Sequence, residues 1–142
     1  MPLTDTFLSR HLLTTLAYRL QNTLRGAPAD FASFELGFGV RTPQGLVRHI
    51  NGALHYGLTV LQTDGAAYQV RQDVTWEEEI ARFYELLARL ETALTTHPPE
   101  PELGARILQG PLSDAMTHIG QLALLRRAAG SPVDAENFSA PI

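Results

Sequence analysis

The stretch SDAMTHIGQLALLRRAAG, residues 113–130, is mostly small and apolar, yet it places Asp114 and His118 four residues apart. On a helix that spacing is one turn, so the two side chains share a face and their heads meet. Such a pair serves either as a local hydrogen bond at a helix edge or as two ligands of one cation. Gln121, a turn below His118, reads equally as an orienting partner or as a surface glutamine. A second stretch, TPQGLVRHINGALHYGL, residues 42–58, carries His49 at the margin of an apolar arc, with Tyr56 two turns along the same stripe. Two ligands from one helix and a third from a facing helix is a common way to build a metal site inside a bundle. The remaining histidines fit solvated positions: His11 opposite an apolar face, His55 beside Arg48, and His97 in a proline-rich loop.

Four long helical segments are available to position these groups. The first spans about Thr4 to Leu24, with Leu8, Leu12, Leu16 and Leu20 at helical spacing, and Gly26 and Pro28 end it. The second opens at Thr42–Pro43, a cap followed by proline at the first helical position, and buries Leu46, Ile50, Ala53, Gly57, Val60 and Leu61. The third opens with the capping sequence Thr75-Trp76-Glu77-Glu78, and HPPEP at 97–101 stops it. After a short helical turn near Glu102–Leu108, the fourth starts at Gly110–Pro111 and closes at Gly130. Its most apolar arc (Leu112, Ala115, Met116, Ile119, Ala123) is centred away from Asp114 and His118, which gives the helix two demanding faces. Residues 26–42 and 62–74 are connections, and the first holds three phenylalanines, Phe31, Phe34 and Phe38, able to pin it to the core. No repeat and no convincing strand is present. The expectation is one all-α domain over residues 1–142, a four-helix bundle with a long crossover between helices 1 and 2 and a tail from about residue 131.

Composition narrows the chemistry. The chain contains no cysteine, which excludes disulfides, thiolate nucleophiles and sulfur-ligated metals. It contains no lysine either, since all 11 basic residues are arginine, so Schiff-base chemistry and a phosphate-loop lysine are excluded. The net charge of −4 and scattered arginines give no footprint for nucleic acid. No apolar run approaches the roughly 20 residues that span a bilayer, and the N-terminal residues lack the pattern of a signal peptide, so a cytoplasmic location is expected.

The segments LVRH and H-x-G-Q followed by LLRR-x-x-G, within residues 42–58 and 114–132 and supported by LAYRLQNTLRGAPADF at 16–31, resemble the DinB-like superfamily, the DinB/YfiT-like metalloenzymes. The resemblance covers almost the whole chain. It implies a four-helix bundle, commonly a homodimer, holding a divalent metal on three histidines, one from helix 2 and an H-x-x-x-H pair from the last helix. Carried over, His49 and His118 match the outer two ligands, and Asp114 stands where the family has its middle histidine. Two imidazoles and a carboxylate suit Zn or Ni, with Mn or Fe(II) also compatible.

The resemblance further implies a metal-dependent enzyme acting on a small molecule, either a thiol-dependent transferase or a hydrolase. Characterised relatives use low-molecular-weight thiols such as bacillithiol or mycothiol, and a chain without cysteine needs such a thiol from outside. Tyr56 is then a candidate proton donor and Arg126 a candidate partner for a substrate carboxylate. Core or surface packing is the competing assignment for both. The alternative is a stress-associated, dimeric binding protein whose metal site is degenerate.

Overall fold

The computed structural model describes residues 5–62 and 73–141. Among these residues the protein is all-helical, with α1 (Asp5–Leu24), α2 (Pro43–Leu61), α3 (Trp76–Thr96), a short α4 (Pro101–Ile107) and α5 (Ser113–Ala128). The starts follow their capping chemistry. Thr42 Oγ1 accepts from the Gly45 N–H ahead of Pro43, and Thr75 Oγ1 accepts from the Glu78 N–H. Pro101 occupies the first position of α4, so the HPPEP sequence both stops one helix and begins the next. The Thr4 expected at the start of α1 lies outside the described residues, as does most of the 62–74 connection.

The four long helices form a ring in which α1 and α2 each pack on α3 and α5, leaving α1 and α2 on a diagonal. Their directions follow from paired residues. The Arg48–Glu79 bond lies near the starts of α2 and α3, and Gly57 approaches Leu90 near their ends, so these helices run parallel. His49 faces His118 while Gly57 faces Pro111, so α5 runs antiparallel to α2. The long connection expected between helices 1 and 2 is present at residues 25–42 and crosses the diagonal at one end. Since α2 and α3 run parallel, the last residues of α2 and the first of α3 lie at opposite ends of the ring. One contiguous core fills the ring, with Leu16, Leu20, Ile50, Leu54, Phe83, Leu90, Leu112 and Leu122 almost wholly buried.

The first connection is pinned by two of its three phenylalanines. Phe31 is buried and Phe34 packs half-buried against the core. Phe38, in contrast, is 96% exposed and adopts a left-handed φ of 57° between Gly37 and Gly39.

The helix expected to start at Gly110–Pro111 is continuous with α4 through a wide π-type turn at Leu108–Leu112. Proline explains it, because Pro111 has no N–H to give the Ile107 carbonyl one turn back. Ser113 closes the wider turn, its N–H and its hydroxyl both reaching the Leu108 carbonyl, the latter at 2.6 Å.

Candidate metal centre

α2 and α5 build the site along their antiparallel seam. Gly57 sets how closely they approach, because a Cβ there would stand 3.2 Å from Pro111 Cβ. Pro111 at this contact lies just ahead of Asp114 and His118, the first of which is in the opening turn of α5. The rotation of α2 is fixed from its other side. Asn51, fully buried, donates to the Glu79 carbonyl and to Glu79 Oε2, both at 2.9 Å, and Arg48 Nε donates to Glu79 Oε1 at 3.0 Å. His49 lies two residues before Asn51, about 200° around the helix. Tying Asn51 to α3 therefore turns His49 toward α5.

The three candidate ligands meet there. His49 Nε2 is 3.7 Å from Asp114 Oδ2, and His118 Nε2 is 3.3 Å from Asp114 Oδ1. The two imidazoles stand edge to face with centroids 4.6 Å apart. One ligand atom from each residue lies within 4.8 Å of the others. Ligands bound about 2.1 Å from a common ion are at most about 4.2 Å apart, so both carboxylate–imidazole pairs already satisfy that limit. His118 is the most sheltered of the three side chains, 13% exposed against 38% for His49 and 46% for Asp114.

The protonation pattern also suits a cation. His118 Nδ1 lies 2.8 Å from Gln121 Oε1. An amide oxygen only accepts, so this contact places the proton on Nδ1 and leaves Nε2 with a lone pair facing Asp114. The His49 imidazole is held below its usual pKa, chiefly by burial, with the Arg41 guanidinium and the His118 ring adding to the effect and Asp114 opposing it. Two imidazole nitrogens and a carboxylate thus come together in one place. That donor set fits a divalent ion.

Tyr56 and Arg126 are placed very differently. Tyr56 is exposed at 56% and lines an open recess of about 510 Å³ that Asp114 also lines. Arg126 is buried at 4% near the far end of α5. Its guanidinium donates to the carbonyls of Thr23, Arg25 and Ser131 and to Ser131 Oγ. With its donors spent on the backbone eight residues from His118, it is not available to bind a substrate carboxylate at this site, and the assignment made from sequence is corrected to a structural clasp. The other histidines stay apart from the site: His11 stacks on Phe7, His97 caps α3, and His55 sits half-buried with Thr59 beside its Nδ1.

The Arg48–Asn51–Glu79 cluster escaped the sequence. Glu79 directly follows the capping Glu78 in an acidic run, a place where carboxylates also suit a helix start without any partner. The overlooked signal was position: Asn51 falls between Ile50 and Leu54 on a buried arc, where an amide needs a partner. Comparison with protein-family models, with curated proteins and with solved structures found no match for this chain.

Proposed function

We propose that this protein is a divalent-metal-dependent enzyme of the DinB-like type, holding its ion on His49, Asp114 and His118. The observation that carries the proposal is the meeting of two imidazole nitrogens and a carboxylate oxygen within 4.8 Å, one imidazole being oriented by Gln121. Zn or Ni suits the set best, and Mn or Fe(II) is compatible. Three protein ligands leave coordination positions open, and an ion there would lower the pKa of a bound thiol or water enough to generate a nucleophile near neutral pH.

The rest of the chemistry falls to the chain. Asp114 offsets part of the ion's charge, Gln121 holds the His118 tautomer, and Tyr56 stands across the adjoining recess with its phenol available as a proton donor. Since the chain contains no cysteine, transferase chemistry takes its sulfur from a low-molecular-weight thiol cosubstrate. Hydrolysis of a small molecule is the variant in which water replaces the thiol. Assembly as a homodimer belongs to the same proposal.

The test is metal content of the untagged protein by mass spectrometry, beside His49→Ala and His118→Ala. A near-stoichiometric ion in the parent that is lost in both variants is the expected result. The direct His118–Asp114 approach of 3.3 Å favours a second reading, a non-catalytic binding protein in which His118 carries its proton on Nε2 instead and the pair merely staples one turn of α5. That reading predicts no metal uptake from Zn, Ni, Mn or Fe(II), and a melting temperature indifferent to His49→Ala.

A further inference from the structure

We infer that the substrate of this site lies in the recess between α2 and the wide turn ahead of α5, and that the part held there is an uncharged group with an apolar body. The inference rests on the proposed ion at His49, Asp114 and His118. The recess measures about 510 Å³, within the range of small-molecule sites. It opens beside the ligands because Asp114 forms part of its wall, with Ala53, Tyr56, Gly110, Pro111 and Thr117 among the other residues.

Charge selects against an anion. Among the described residues no arginine or histidine lines the recess, and Asp114 is their one ionic group there. A carboxylate or phosphate placed there would meet no cation in the walls. A divalent ion would offset the Asp114 charge and draw the ligand's own donor atom to itself, while the walls away from it carry no other charge among the described residues.

The walls also specify what they would hold. The Tyr56 ring, Ala53 and Pro111 offer apolar surface. Ser113 and Thr117 hydroxyls already donate to the carbonyls of Leu108 and Ser113, so toward the recess they retain only lone pairs. They therefore accept from an amide or hydroxyl on the ligand, and the exposed Tyr56 phenol donates. Gly110 is one of the lining residues. A Cβ on it would meet nothing within 4 Å, and its backbone is not in the left-handed region, so a larger side chain is accommodated at this wall without strain.

Three metal-chelating probes test this, titrated calorimetrically into protein whose metal content has been measured. Acetohydroxamate reports the ion alone, benzohydroxamate adds a neutral ring, and 4-carboxybenzohydroxamate adds a charge to that ring. Benzohydroxamate is expected to bind about tenfold tighter than acetohydroxamate, as burial of a ring implies. The carboxylated probe should lose that gain. Gly110→Leu should abolish the gain and leave acetohydroxamate unchanged. Equal affinities for the first two probes, a gain that survives Gly110→Leu, or tightest binding by the carboxylated probe would each overturn the inference while the metal site stands. Absence of metal uptake would remove the site itself, and the inference with it.

Discussion

A neutral imidazole has one N–H and one lone pair, so whatever holds one nitrogen decides what the other can do. In His118 that partner is Gln121, an exposed side chain whose loss leaves no cavity. Gln121→Leu should therefore weaken metal affinity by about 10–100-fold, read by competition with a chromophoric chelator, with little change in melting temperature. Gln121→Glu keeps an acceptor and should retain affinity. If Gln121→Leu bound metal like the parent, the tautomer argument would be wrong. This arrangement was legible in the sequence because spacings of three and four on one helix are fixed by backbone geometry alone. The placement of His49 opposite the pair needed the resemblance or the fold. Arg126 was misassigned because an arginine's destination depends on which carbonyls end up near it, and the α1 terminus that supplies two of them lies about a hundred residues away in sequence.

At the scale of elements, the wide turn before α5 had a sequence signature in its buried positions. Ile107, Pro111, Ala115 and Ile119 recur every four residues, and over three turns that exceeds a period of 3.6 by roughly one residue, which the π-type turn absorbs. The α2–α3 seam left only the position of Asn51 as a signature, since Arg48 and Glu79 are residue types that also suit exposed faces. Arg48→Met leaves the Glu79 carboxylate, 2% exposed, without its cation and should cost about 3–5 kcal/mol in chemical denaturation. Combining it with Glu79→Leu should restore part of that loss, because the uncompensated charge is gone. A double variant less stable than Arg48→Met alone would refute that account. The same seam holds His55, whose pKa is depressed by burial and by Arg82 and Arg89. Below the ordinary histidine value of about 6.5 the unfolded chain binds a proton that the folded His55 resists. Stability should fall as pH drops through 6.5 toward the folded value, and His55→Gln should make that decline shallower.

Across the whole molecule, one side chain ties three segments together at the end remote from the α3–α4 junction. Arg126 reaches the Thr23 and Arg25 carbonyls at 2.8 and 2.9 Å and the Ser131 carbonyl at 2.7 Å, joining α1, α5 and the C-terminal segment. From there the chain runs along α1, where Glu136 meets the Tyr18 hydroxyl and Phe138 lies under the Arg19 guanidinium at 3.4 Å. Carbonyls at a helix end have no partner within the helix, and the planar guanidinium serves several at once where a lysine ammonium is a single point. Arg126→Leu should therefore cost about 3 kcal/mol, or roughly 10 °C in melting temperature for a chain of this size. Arg126→Lys should recover little of it. Both variants should still take up metal, since position 126 lies about 12 Å along α5 from His118. A substrate-binding arginine predicts the reverse, an unchanged melting temperature with lost affinity for anionic ligands. Thermal unfolding and metal content of the same two variants thus separate a clasp that closes the bundle from a residue that serves the site.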